Sequence, residues 1–275
     1  WYITLPSKVN ATPDTVKMPE LRTYSSEWFR LNAAGDGVIF RARTDGATTK
    51  NSNNPRSELR EMTKDGKEQA AWSSMAGTHS MVVELMISAV PIGSKPVVVV
   101  GQIHDSDDDV TVFRFEGNTS GNRNIGKLWL TDGDTSHGFL VDDNLALGTK
   151  FTIGFQVSGG KITYTYNGGD PGGAVPYTQP KKLDGCYFKT GAYNQAGGIV
   201  TKLPDGRADY AEVTIYALQV CHNGVCTGLA PGAVGEPVEP PVEPVGATLT
   251  VNGSIIDIAA LKAFILSATV TLHVE

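Results

Sequence analysis

Phe151–Val157 reads FTIGFQV, Ser158-Gly159-Gly160 follows, and Lys161–Tyr166 reads KITYTY. Apolar and polar residues alternate in both runs, which is the period of a strand with one face in a core. The Gly159-Gly160 pair between them fits a tight hairpin turn. The same alternation recurs in Met81–Val90 (MVVELMISAV), Val110–Glu116 (VTVFRFE), Lys127–Thr131 (KLWLT) and Ala211–Val220 (AEVTIYALQV). Turn signals such as Asp132-Gly133-Asp134 and Asn167-Gly168-Gly169 separate the runs, and helical periodicity is nearly absent before residue 250. Many short strands at this spacing predict an all-β chain. Its architecture is a sandwich or jelly roll of two antiparallel sheets around one core.

The composition changes at Gly228. Ala230–Gly246 (APGAVGEPVEPPVEPVG) is rich in Pro, Glu and Val and has no aromatic residue, as expected of a semi-extended linker. The expected organisation is a β domain over residues 1–228, a linker over 229–246 and a short tail over 247–275. Ile255–Ala268 has the look of a short apolar helix. The tail is too short for an independent core. It is the start of a second domain, a docking segment or an artificially appended stretch.

The formal net charge of −6 is the wrong sign for a nucleic-acid binder. No apolar run approaches the roughly 20 residues of a membrane-spanning helix. Neither nucleic acid nor membrane is an expected partner, and a monomer is expected. Of three cysteines, Cys221 and Cys226 are close enough to close a small disulfide loop, with Cys186 left buried beside Tyr187. The chain starts at Trp1 rather than Met, as removal of a signal peptide or trimming would leave it, and secretion is the expectation.

Three stretches carry candidate chemistry. In Arg56–Arg60 (RSELR), alternation puts Arg56, Glu58 and Arg60 on one face, so Glu58 can brace the two guanidiniums while each keeps donors for a carboxylate ligand. In Val97–His104 (VVVVGQIH), four valines of a buried strand give way to Gln102 and His104 on one face, as at the floor of a cleft. The other histidines, His79, His137, His222 and His273, have no comparable setting. In Tyr187–Gln195 (YFKTGAYNQ), Tyr187, Lys189, Gly191, Tyr193 and Gln195 share a face, with room for a ligand above Gly191.

Taken together, these stretches resemble the three signature segments of polysaccharide lyase family 7, the alginate lyases. RSELR and QIH fit the family pattern outright. YFKTGAYNQ departs from the commoner form at Thr190, where Ala is usual. The resemblance spans about residues 1–222 and says nothing of the tail. It implies a jelly roll with a concave groove for alginate, and cleavage of the 4-linked bond by β-elimination without a cofactor. By position, Arg56, Gln102 and His104 match the family's neutralising and activating groups, and Tyr193 its proton-transfer residue. Glu58, Arg60, Lys189, Asn194 and Gln195 are the expected substrate-binding residues. Ile103 between Gln102 and His104 tilts the expectation toward polyguluronate or mixed blocks.

Two other readings are weighed against this one. A glycoside hydrolase needs two carboxylates flanking the bond, and no Glu-x-Asp-x-x-Glu strand motif is present. A non-catalytic module that binds acidic polysaccharide would use the same Arg and Lys row, but has no need of Tyr193 beside Gln102 and His104. Asp105–Asp109 (DSDDD) lacks the spacing of the twelve-residue calcium loop and reads as a solvated turn, and with Arg56 and Gln102 able to neutralise a substrate carboxylate no catalytic metal is expected.

Overall fold

In the computed structural model the described residues are 1–8, 12–63, 65–93, 95–132, 135, 137–172, 178–198, 202–203, 206, 208–228, 248–251 and 254–257. The first strands are β1 (Tyr2–Leu5), β2 (Asp14–Lys17), β3 (Phe29–Leu31), β4 (Val38–Arg43), β5 (Arg56–Arg60), β6 (Thr78–Ala89), β7 (Val97–His104) and β8 (Asp109–Gly117). They are followed by β9 (Ile125–Thr131), β10 (Phe139–Ala146), β11 (Lys150–Ser158), β12 (Lys161–Tyr166), β13 (Thr178–Pro180), β14 (Tyr187–Asn194), β15 (Tyr210–His222) and β16 (Val225–Gly228). One sheet has the order β10-β9-β8-β7-β14-β5-β1-β2. The other runs β13-β12-β11-β6-β15-β4-β3, with β16 added beside β15. This is the expected jelly-roll β-sandwich of two antiparallel sheets.

The β11–β12 hairpin forms as its sequence predicts. Ser158 pairs with Lys161, and Gly159 and Gly160 take φ of 56° and 71°. Two positive φ values match the right-handed twist of the flanking strands, and glycine reaches them without steric cost. Between the sheets, Phe113, Phe115, Phe155, Tyr164 and Phe188 are fully buried. Phe113 meets Phe155 edge-on at 5.1 Å. Such pairs add about 0.5–1.5 kcal/mol beyond their buried area. The Tyr164 hydroxyl donates to Thr111 Oγ1 at 3.1 Å, so its burial leaves no unmet polar group.

Cys221 and Cys226 form the expected disulfide across the β15–β16 pair, and Cys186 is free and buried. Residues Trp1–Pro231 form one compact unit and Gly232–Glu275 another. The expected linker at 229–246 and residues 258–275 lie outside the described residues. Within the tail, β17 (Thr248–Val251) pairs with β18 (Ser254–Asp257). Ile255 and Ile256 are therefore strand, which corrects the helix expected to begin at Ile255. Thr, Val and Ile flank an Asn252-Gly253 dipeptide, and that pattern favours a hairpin over a helix.

Candidate active site

Arg56, Glu58 and Arg60 of β5 lie opposite Tyr193, Gly191 and Lys189 of β14. Lys189 in turn faces Gln102 of β7, and Tyr187 faces His104. Directly opposed residues of an antiparallel pair share a face. Arg56, Arg60, Gln102, His104, Lys189 and Tyr193 therefore stand on one side of the eight-stranded sheet, with His104 and Tyr193 at the two ends of the row. Tyr2 and Thr4 of β1 continue that face beside Arg60 and Glu58, and Thr15 of β2 beyond them. A cleft of about 1400 Å³ opens beside Tyr2, Thr4 and Thr15, bordered also by Asp45, Lys50, Asn53 and Lys202 and not by the six residues of the row themselves.

Two irregularities set the phase of this face. The β7–β8 register shifts between Val99 and Gly101, and Val98, Val100 and Ile103 all join the core. Gln102 and His104 are thereby placed on the groove side, which a run of four valines cannot reveal. The β14–β7 register shifts between Thr190 and Tyr193. Gly191 sits in that shift with φ of 141°. A Cβ there would lie 2.5 Å from the Ser57 carbonyl oxygen. The glycine is thus required by close backbone approach and a left-handed conformation. This corrects the expectation that it simply leaves room for a ligand.

Glu58 is the hub of the floor. It is 2% exposed, with one oxygen accepting from Gln102 Nε2. The other takes Arg56 Nη1 at 3.2 Å and Lys189 Nζ at 2.8 Å. Both oxygens are occupied, so its expected role as a direct substrate contact is replaced by one of holding three donors together. Arg60 has no ion pair with Glu58 among the described residues. Its guanidinium lies 3.7 Å over the Tyr187 ring instead. Burial alone would raise the Glu58 pKa, but Lys189, Arg56 and the hydrogen bonds from Lys189 and Gln102 outweigh it and hold the carboxyl below its usual range. Lys189 is pushed down to about 8 by burial, with Arg56 and Arg60 adding to the fall and Glu58 opposing it. Two cations pair with one carboxylate and Arg60 stands beside them, which leaves the floor positive. Among the described residues, Arg56 Nε and Arg60 Nε are buried without a protein acceptor.

His104 stacks on Tyr187 at 5.0 Å, and its Nδ1 lies 2.8 Å from the Asp105 carbonyl oxygen. A carbonyl only accepts, so Nδ1 carries the hydrogen and Nε2 keeps a lone pair in the neutral ring. Burial, helped by Lys189, lowers the His104 pKa and favours that neutral form, against the opposing Asp105 hydrogen bond. At the other end of the row, Arg56 lies 3.8 Å over the Tyr193 ring, and Tyr193 Oη is 3.0 Å from Ser52 Oγ.

Asn194 and Gln195 fall outside this constellation. Asn194 is fully buried, its amide donating to the Ala42 carbonyl at 2.8 Å and accepting from the Ala196 N–H at 2.9 Å. One residue out of phase with Tyr193, it faces the core, which corrects its place among the substrate contacts. Gln195 Oε1 accepts from Asn54 Nδ2 at 3.3 Å and ties the two loop ends together. In the Asp105–Asp109 turn, Asp105 Oδ1 accepts from the N–H groups of Asp107 and Asp108 at 2.8 and 3.0 Å.

One polar cluster contradicts the sequence reading. His79 and His222 pair across β6 and β15, with Nδ1 atoms 2.7 Å apart. His222 Nε2 lies 2.5 Å from Glu61 Oε1, and Glu61 Oε2 accepts from Trp72 Nε1 and the Phe188 N–H. These histidines do have a specific setting, one that pins the start of β14 to the end of β5. His137 lies 2.9 Å from Glu116, and His273 lies outside the described residues.

The geometry is that of a basic floor carrying a neutral imidazole and a tyrosine, suited to an acidic polymer. The family model described as alginate lyase matches residues 1–222. The chain belongs to the alginate lyase family. An alginate lyase from Corynebacterium sp. is 43% identical, with a TM-score of 0.71 over 81% of this chain and 93% of that one. Alginate lyase AlgAT5 of polysaccharide lyase family 7 is 42% identical, with a TM-score of 0.69 over 81% of this chain and 94% of that one. A curated alginate lyase of Klebsiella pneumoniae is 27% identical over 81% of this chain and 88% of its own length. The floor built on Glu58 thus belongs to an alginate lyase, a polysaccharide lyase of family 7. Ser52 is the site residue that sequence reasoning missed. It sits in a Lys50–Asn54 turn (KNSNN) with no periodic signal.

Proposed function

We propose that this alginate lyase works by β-elimination and prefers polyguluronate or mixed blocks. The observation that carries the reading is the Glu58-tethered cluster of Arg56, Gln102 and Lys189 between His104 and Tyr193. The C5 proton of a uronate is hard to remove because the carbanion is high in energy. Arg56 and Gln102, each with a donor beyond its bond to Glu58, neutralise the adjacent carboxylate so that charge spreads onto it. In guluronate the C5 proton and the leaving oxygen lie on opposite sides. His104 Nε2 takes the proton, the electron pair forms the C4–C5 double bond, the C4–O bond breaks, and Tyr193 gives its proton to the departing oxygen. In mannuronate the two lie on one side, and Tyr193 serves both steps.

Support comes also from a relative. The family 7 alginate lyase A1-II′, 25% identical over 81% of this chain, was solved as a tyrosine-to-phenylalanine variant with a product, GGG. The β domain is proposed to act as a monomer, with the linker and tail dispensable for cleavage. Secretion is proposed as well, since a disulfide such as Cys221–Cys226 suits an oxidising compartment. The test uses pure polyguluronate and pure polymannuronate side by side. Ultraviolet absorbance of an unsaturated uronate should appear faster on polyguluronate. A new reducing end without that absorbance means hydrolysis and sinks the proposal.

A further inference from the structure

We propose that Ser52 is a positioning residue for Tyr193, accepting its hydrogen bond as a phenol and donating one to it as a phenolate. The inference rests on the reading of Tyr193 as the proton-transfer residue. Ser52 Oγ lies 3.0 Å from Tyr193 Oη, and either atom can be the donor. Among the described residues it is the hydrogen-bond partner of that oxygen, because Arg56 occupies the ring face instead, at 3.8 Å from the centroid.

The other partners of Ser52 explain how one hydroxyl serves both states. Its Oγ accepts the Asn54 N–H at 3.0 Å and lies 3.2 Å from the Asn54 carbonyl oxygen. Its own N–H is held by the Thr49 carbonyl at 3.0 Å, so the turn fixes the oxygen in place. A serine hydroxyl has one hydrogen and two lone pairs, and the hydrogen is free to rotate. While Tyr193 is a phenol, its O–H points at Ser52 Oγ and the serine hydrogen points at the Asn54 carbonyl. When Tyr193 loses its proton, the serine hydrogen turns to Oη and the longer bond to Asn54 is given up. No heavy atom has to move, so the donor is preorganised for charge that exists only after proton transfer. The proton itself still passes between Tyr193 and the sugar. Ser52 neither gains nor loses one.

The experiment compares Ser52→Ala, Ser52→Thr, Tyr193→Phe and the Ser52→Ala/Tyr193→Phe double variant by initial rates of uronate unsaturation. A hydrogen bond to a charged group is worth roughly a ten- to a hundred-fold change in rate, so kcat of Ser52→Ala should fall by about that factor. KM and Tm should stay near their original values, and Ser52→Thr, which keeps the hydroxyl, should recover most of the loss. The limb of the kcat–pH profile that disappears in Tyr193→Phe should move about one unit higher in Ser52→Ala, since tenfold corresponds to one unit. The double variant should be no slower than Tyr193→Phe, because a positioning residue has nothing left to position. Two results overturn the inference while leaving Tyr193 in its role. One is a Ser52→Ala enzyme with near-original kcat and an unmoved profile while Tyr193→Phe is impaired. The other is losses that multiply in the double variant. A Tyr193→Phe enzyme that keeps its kcat is a different failure, that of the underlying reading, and it is visible without any Ser52 variant.

Discussion

Replacing Glu58 by Gln changes two heavy-atom positions by nothing and removes one negative charge, which makes it the sharpest probe of the groove floor. The carboxylate has donors on both oxygens: Gln102 on one, Arg56 and Lys189 on the other. A glutamine amide has one acceptor and one donor end. With its oxygen toward Arg56 and Lys189, its NH₂ meets Gln102, which must turn its own amide to accept. Turned the other way, its NH₂ meets two cationic donors. In both cases Arg56 and Lys189 lose their counter-charge. Arg56 and Lys189 are each only 9% exposed at the side chain, so water does little to screen the loss. Breaking a buried pair from one side costs about 3–5 kcal/mol. For a domain of this size each kcal/mol moves Tm by roughly 2–4 °C, so a fall of roughly 6–20 °C is expected.

The pH dependence gives the prediction a second arm. Lys189 holds its proton up to about pH 8 with Glu58 present. Without Glu58, the opposing cations and burial remain, and Lys189 sheds its proton at lower pH. A lysine whose folded pKa lies below its unfolded value takes up protons on unfolding, so stability rises with pH above the folded pKa. That rise starts earlier in the variant, and the stability gap narrows from pH 6 to pH 8 by up to about 1.4 kcal/mol per unit. Denaturant melts at the two pH values measure it. A gap under about 1 kcal/mol at pH 6, well below the range for a broken buried pair, would refute the argument, as would a gap that ignores pH.

Tyr193→Phe should lower kcat about 10²–10⁴-fold with KM little changed, and retention of more than about a tenth of kcat on both polymers would reduce Tyr193 to a binding residue. His104→Ala should harm polyguluronate cleavage more than polymannuronate cleavage, and equal losses would remove His104 as the guluronate base. Because His104 must be neutral to accept a proton and its pKa is lowered, the acid limb on polyguluronate should lie below the usual histidine value of about 6.5, and a limb at 7 or above contradicts this. Lys189 loses its charge above about pH 8, so KM for the polymer should rise there, and Lys189→Met should show a high KM without that rise. A KM flat from neutral pH to well above 8 would mean that Lys189 does not grip the polymer.

The sheets were legible because their strands are half-buried. Alternation in MVVELMISAV and KITYTY needs no partner to be read, and Gly159-Gly160 announces its turn type chemically. Register across strands was not legible. His79 and His222 are 143 residues apart, and only the β6–β15 pairing brings them together. The shifts at Val99–Gly101 and Thr190–Tyr193 are hidden for a related reason. Both interrupt alternation inside segments buried on both faces, where hydrophobicity carries no phase. Asn194 is the opposite case. Its parity relative to Tyr193 already placed it toward the core, and the structure follows the parity.

The floor also explains how a chain of net charge −6 handles an anionic polymer. Mutual repulsion would drive Arg56, Lys189 and Arg60 apart if nothing gathered them, and burial would strip Lys189 of its proton sooner. Glu58 gathers two of them and orients Gln102, yet cancels only one unit of charge. On the proposed reading, that surplus is what a uronate carboxylate meets. It is felt at short range, because acidic groups elsewhere on the surface are screened beyond about 8–10 Å. An apolar residue in place of Glu58 would disperse the cations, and a second buried carboxylate would cancel the surplus. A single buried acid among three bases is the composition that leaves the groove both ordered and positive, with Tyr193 beside it and Ser52 at the Tyr193 oxygen.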